Sequence, residues 1–193
     1  MGKMNLKHFG DSYDIVKKSL LEWLSAFGPW AAHPMFTHPT NAAEAEAFSR
    51  FLGVPLVSTK VLDRACNRAN YFASCCQCHS LLLDPDTGVR VEAAESSRVP
   101  EFVFAEELIG LADARPRALT LTFDQSLARG REQEEIRAKL VHFAAHGVHG
   151  FAYTSQASFM VLCRSRTLVQ EAHERILAMS GLPARRIVTI EAA

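Results

Sequence analysis

No uninterrupted apolar stretch of this chain is long enough to cross a bilayer, which takes about 20 residues in a helix. The opening MGKMNLKHFGDSYD lacks the apolar centre of a signal peptide, and Gly2 is followed by Leu6 where a myristoylation signal needs Ser or Thr. Net charge is missing too: Lys plus Arg and Asp plus Glu each number 21. That balance removes the broad positive field that would favour nucleic acid and the negative one that would favour a basic partner, leaving room only for a local basic strip. The cysteines are five, an odd number, with three of them in CCQC, which suits a reducing compartment better than a disulfide framework. A cytoplasmic protein without a membrane partner is expected. Three signatures are also lacking: a Walker lysine loop, a G-x-G-x-x-G after a strand and a G-x-S-x-G elbow.

What remains is an ordinary globular composition, 48% hydrophobic and 22% charged over 193 residues. That length suits one domain burying about 70% of the surface its unfolded chain exposes. Asp11 is placed to cap a helix from Ser12, with Val16, Leu20, Trp23, Leu24 and Phe27 at helical spacing and Gly28-Pro29 as its stop. WAAHPMF reads as a strand, Asn41 with Glu44 as the start of a second helix ending at Gly53, VPLVS as a strand, and Thr59 as the start of a helix carrying Val61, Leu62, Ala65, Ala69 and Phe72.

HSLLLD has the continuous apolar character of a central parallel strand covered on both faces. FVF is a short strand or the first part of a helix, and ALTLTF is a strand. Glu132, Glu134 and Glu135 favour a helix start, and Ile136, Leu140, Phe143 and Ala144 form its stripe up to Gly147. GFAYTS and SFMVLC predict an antiparallel pair, followed by a helix over Leu168 to Met179 and a strand RIVTI. Strands alternating with helices predict one Rossmann-like α/β domain over residues 1–193, its sheet mostly parallel with helices on both faces and an antiparallel pair near the C-terminus.

The acids gather where such a sheet binds ligands, beyond the carboxyl ends of its strands. Asp84 and Asp86 follow HSLLLD, Asp124 follows ALTLTF, and Glu106 and Glu107 follow FVF. Convergent carboxylates would hold a hard cation, Mg²⁺ or Mn²⁺, with Asp84, Asp86, Asp124 and Glu107 as ligands. Ser126, Arg129 and Arg131 in DQSLARGR are short polar and cationic groups suited to a substrate phosphate. The same residues also make ordinary turns and caps: Asp84 precedes Pro85, Asp86-Thr87-Gly88 is loop chemistry, and Asp124 can cap the segment from Gln125.

Cys75 and Cys78 have C-x-x-C spacing, with Cys76 between them and His79 adjacent. The motif precedes a strand instead of following one, and zinc would need a distant second pair, so small buried residues entering the sheet are the simpler reading, with metal or redox chemistry left open. His142 and His146 share a helix face, but Phe143 stands where a metalloprotease helix needs Glu.

HFGDSYDIVKKSLL, LLLDPDTGV and TFDQSLARG together resemble a group of uncharacterised bacterial proteins marked by G-D-x-Y-D-x-x-K and L-D-P-D-[TN]-G. More distantly, the layout is similar to class I S-adenosylmethionine-dependent methyltransferases acting on adenine in nucleic acid. In those, a central strand ends in D-P-P-Y and the sheet ends in an antiparallel hairpin. That resemblance implies LDPDTG at the strand end and GFAYTSQASFMVLC as the hairpin. Asp86 stands for the second Pro, Thr87 for the aromatic residue, and WAAHPMFT lacks a glycine-rich turn, so S-adenosylmethionine is expected to bind weakly or not at all.

Two functions stand as expectations. One is a metal-assisted phosphoester hydrolase, of which a nuclease is one form, with catalytic Asp84, Asp86 and Asp124 acting on a phosphate-containing small molecule or nucleic acid. The other is a non-catalytic or degenerate methyltransferase-like module binding a nucleotide, nucleic acid or protein.

Overall fold

The structure, a computed structural model, describes residues 9–92 and 99–190. Among the described residues, eight strands form two sheets. The main sheet contains β1 Trp30–His33, β2 Ser80–Leu83, β5 Thr120–Asp124, β6 His149–Thr154, β7 Ser158–Cys163 and β8 Ile187–Val188, in the order β1-β2-β5-β7-β6-β8. β1, β2 and β5 are parallel neighbours, and each pairing from β5 through β7 and β6 to β8 is antiparallel. Four of the six strands therefore run the same way, and β6 and β7 make the expected hairpin. A separate parallel pair, β3 Gly88–Arg90 and β4 Phe102–Phe104, lies against β5.

Helices cover both faces: α1 Ser12–Trp23, α2 Ala42–Leu52, α3 Arg68–Phe72, α4 Ala105–Ala114, α5 Glu132–Ala145 and α6 Arg166–Ser180. One core joins Leu81 and Leu83 of β2 to Tyr71 and Phe72 of α3, Leu108 of α4, and Ile136 and Phe143 of α5. The other joins Leu82 of β2, with Leu121 and Phe123 of β5, to Leu20 of α1, Phe48 of α2 and Ile176 of α6. Alternate residues of one strand thus feed two cores, because side chains along a strand have a period of two. The fully buried SLLL of β2 has no solvent side, which is why its sequence does not alternate.

Local chemistry sets the helix ends as expected. Asp11 accepts from the N–H groups of Tyr13 and Asp14, and Asn41 and Glu44 form a reciprocal capping box. Four expected boundaries shift. VPLVS runs beside β1 through a single bridge, Ala32 to Leu56, with Ala32 donating to the Pro55 carbonyl and Val57 to that of Ala32. The helix expected from Thr59 begins only at Arg68, where Asn67 accepts from the Asn70 N–H. Upstream of it, the Leu62 N–H is committed to the Phe36 carbonyl, and Ala65 is exposed. WAAHPMF stops at His33 because Pro34 cannot extend the ladder, and RIVTI pairs only over Ile187–Val188.

Candidate functional site at the carboxyl edge of the sheet

β2 and β5 are adjacent, with Leu83 opposite Thr122. One step on, Asp84 falls beside Phe123, and Asp124 comes a further step along. That single residue decides the geometry, since consecutive strand positions face opposite sides. Asp84 turns toward α1 and the core containing Phe123, whereas Asp124 turns toward α5.

Each carboxylate meets its own buried lysine. Lys17 of α1 donates to Asp84 Oδ2 at 2.7 Å and to Asp14 Oδ1 at 3.0 Å, and its ammonium lies 5.1 Å from the Phe123 ring centre. The N–H of Gly10 fills Asp14 Oδ2 at 2.9 Å. Burial works against the charge on Lys17, but Asp84 and Asp14 outweigh it and raise its pKa. Asp84 is less well served: one cation is divided between two anions, and its Oδ1 is buried without a hydrogen-bond partner among the described residues. Burial therefore pushes the Asp84 pKa up to about 6, against the pull of Lys17, with Asp14 and Asp86 adding repulsion.

Asp124 is fully enclosed and fully satisfied. Lys139 of α5 donates to its Oδ2 at 2.6 Å, while Oδ1 receives the N–H of Val89 at 3.1 Å, the N–H of Ser126 at 2.9 Å and the Ser126 hydroxyl at 2.6 Å. Lys139 also donates to the Val89 carbonyl at 2.8 Å and to Ser126 Oγ at 2.9 Å. Gly88 makes this possible. At φ +143° it carries the backbone hard against Asp124, where a Cβ would strike Asp124 Oδ1 and come within 3.0 Å of the Asp124 Cα.

Three separated stretches of sequence therefore interlock. GDSYDIVK supplies Asp14 and Lys17, LDPDTG supplies Asp84 and Gly88, and TFDQS supplies Asp124 and Ser126. The lysines were missed by sequence reasoning, yet they left a signal. Positions 17, 20 and 21 are buried along α1, with Leu24 just beyond its end, and 136, 139, 140 and 143 along α5, so each lysine lies in line with buried apolar positions.

The other expected site residues are placed elsewhere. Glu107 is held by Arg68 at 2.5 and 2.8 Å and receives the Phe104 N–H at 2.9 Å. Arg129 is exposed, and Arg131, also exposed, pairs with Glu134 at 3.1 Å. Asp86 is half-buried and close enough to act on Asp84. Asp84, Asp86, Asp124 and Glu107 do not form one constellation: among the described residues, no three His, Cys, Asp or Glu side chains are grouped to hold a metal ion. His142 and His146 have ring centres 4.6 Å apart with the rings tilted at 42°, and His146 Nδ1 lies 2.9 Å from the His142 carbonyl.

Beside Asp124, a groove of about 920 Å³ opens between β3 and α5, lined among others by Arg90, Phe102, Gln125, Ser126, Lys139 and His142. The Arg90 guanidinium lies 3.9 Å from the Phe102 ring centre. At the end of β1 the backbone turns through Met35 at φ +50°, and Met35 and Phe36 are both buried there. His33, fully buried, accepts the Met35 N–H on Nδ1 at 3.3 Å, and its Nε2 has no partner among the described residues. No protein-family model matches the chain, and no curated protein matches it.

Proposed function

We propose that this domain is a methyltransferase-like binding module for a nucleotide or a comparable phosphate-bearing small molecule, seated in the groove beside Asp124. The observation that carries it is the groove itself. Its volume, about 920 Å³, falls in the range of ligand sites, about 300–1,000 Å³, and it opens at the carboxyl end of a parallel strand, where α/β sheets take ligands. Arg90, its guanidinium held against the buried Phe102 ring, supplies a positioned cation suited to a phosphate. Ser126, Gln125 and His142 add polar groups along the wall. Ser126 is the one member of the expected substrate set that lines this groove; Arg129 and Arg131 do not.

The closing hairpin of β6 and β7 and the Asp84-Pro85 step after β2 support the methyltransferase-like layout. Buried Met35 and Phe36 occupy the turn after β1 where a glycine-rich loop would leave space, which supports a module that does not use S-adenosylmethionine. The hydrolase remains a second reading because of Asp84: the charge of Asp86 acts on it, and Asp84 Oδ1 is an unused acceptor among the described residues. Mg²⁺ or Mn²⁺ would be its cofactor, held by Asp84 and Asp86.

Calorimetry and thermal melts with adenosine and guanosine mono- and triphosphates test the module, each with and without millimolar Mg²⁺. Binding that raises the melting temperature and is lost in Arg90→Ala supports it. No heat and no shift with any nucleotide at millimolar concentration would reject it. Phosphate release that requires Mg²⁺ and is lost in Asp86→Asn would favour the hydrolase instead.

A further inference from the structure

The opposite edge of the sheet carries a second chemical cluster, which the groove does not use. Arg115, the residue that ends α4, is 5% exposed. Its guanidinium donates to Thr120 Oγ1 at 2.7 Å and to the His79 carbonyl at 3.4 Å, while its Nε is buried with no partner among the described residues. A buried guanidinium ordinarily meets a carboxylate. The ionisable groups whose charge acts on this one are thiols instead: Cys75, Cys78, Cys76 and Cys163.

Two of those cysteines, Cys75 and Cys78, are joined through one backbone turn. Residues Ala73–Gln77 form a 3₁₀ turn, and the Cys78 N–H donates to the Cys75 carbonyl at 3.2 Å. Residues three apart in a 3₁₀ turn eclipse, and such a turn keeps their Cα atoms under about 7 Å, within disulfide reach. Cys75 is buried and Cys78 half-buried, and none of the five cysteines is in a disulfide.

We propose that Cys75 and Cys78 form a reversible dithiol–disulfide pair, oxidised by exchange with a low-molecular-weight disulfide and assisted by Arg115. The Cys78 thiolate, the more accessible, attacks one sulfur of the small disulfide, forming a mixed disulfide and expelling one thiolate. The Cys75 thiolate then attacks the Cys78 sulfur, forming the internal disulfide and expelling the second. Two protein thiols lose two protons and two electrons, and two small thiols are produced. Arg115, held against the His79 carbonyl next to Cys78, is the positioning residue: its charge favours both thiolates against burial, which raises the Cys78 pKa and pushes that of Cys75 up to about 12. C-x-x-C pairs exchange through this sequence of steps.

The test equilibrates the intact protein with oxidised and reduced glutathione at fixed ratios, then applies alkylation and peptide mass mapping. The expected result is a loss of two alkylatable thiols, mapped to a Cys75–Cys78 link and restored by dithiothreitol. Cys76→Ser should leave the link intact, and Cys78→Ser should abolish it. Cys75→Ser should trap glutathione on Cys78. Arg115→Lys should slow closure of the mixed disulfide about tenfold or more while leaving its formation on Cys78 unchanged, a split that general loosening of the fold would not give. Glutathione accumulating on Cys76 or Cys78 of the wild-type protein without closing to the internal link would overturn the proposal, as would a link to Cys66 or Cys163.

Discussion

Asp84 and Asp124 end adjacent parallel strands one register step apart, so two carboxylates at the same sheet edge face opposite layers, one 2.7 Å from Lys17 and the other 2.6 Å from Lys139. Removing one partner of a buried pair leaves an uncompensated charge and costs about 3–5 kcal/mol. Lys17→Met and Lys139→Met should each lose that much in urea denaturation. Because the pairs share no partner and lie on separate faces, the double variant should equal the sum of the two within about 0.5 kcal/mol. A single shared acidic cluster would instead give strong non-additivity.

Asp84 and His33 should tilt the pH dependence of stability in opposite directions. Burial raises the Asp84 pKa from 3.8 to about 6, so between those values the folded protein keeps a proton that the unfolded chain releases. That contribution is fully present below pH 3.8 and is lost as pH rises to 6. Burial lowers the His33 pKa from 6.5 to about 4, so over that range the unfolded chain takes up a proton that the fold refuses. Its contribution is present above 6.5 and is lost as pH falls to 4. At about 1.4 kcal/mol per pH unit for each group, the two nearly cancel, and the wild type should show little slope from these sites. Asp84→Asn should then become less stable on going from pH 7 to 4.5, and His33→Phe more stable, by about 2 kcal/mol each. Urea midpoints at the two pH values decide it, and slopes of the same sign in both variants would contradict the assignment.

Gly88 should be intolerant of even one methyl group. Its positive φ and its contact with Asp124 both oppose a Cβ, so Gly88→Ala should cost more than the about 1 kcal/mol typical of a left-handed position alone. Gly130→Ala is the control: φ is +83° there, but no atom lies within 4 Å of a Cβ. Equal losses in the two variants would show that the close approach to Asp124 carries no energy.

The groove makes a separable prediction. Ser126→Ala removes a hydroxyl that accepts from Lys139 and lies 2.6 Å from Asp124, so it should reduce stability by about 1–2 kcal/mol as well as nucleotide affinity. Arg90→Ala, whose guanidinium rests on Phe102 at the groove wall, should reduce affinity with a smaller loss of stability. Calorimetry beside thermal melts distinguishes the two.

Much of this fold was legible residue by residue. Apolar runs fixed β2 and β5, turn spacing fixed the hairpin of β6 and β7, and Asp11, Asn41 and Glu44 announced their helix starts, because capping and periodicity act over a few residues. The placement of the acids at strand ends was legible for the same reason. Which layer each acid faces was not: that depends on the register of β2 against β5, and one step of register reverses a side chain. Nor was the partner of each acid legible, since Lys17 is 67 residues from Asp84 and an isolated lysine in a helix reads as solvent-facing until the opposing strand is in place. The stretch from Val54 to Asn67 failed likewise, its apolar residues suiting a strand and a helix until hydrogen bonds to Ala32 and Phe36 claimed its backbone. Sequence determined the elements and the edge at which the acids sit. Only the tertiary structure decided that Asp84 and Asp124 are held by two lysines on two faces, because burying a charge requires a partner that packing alone can deliver.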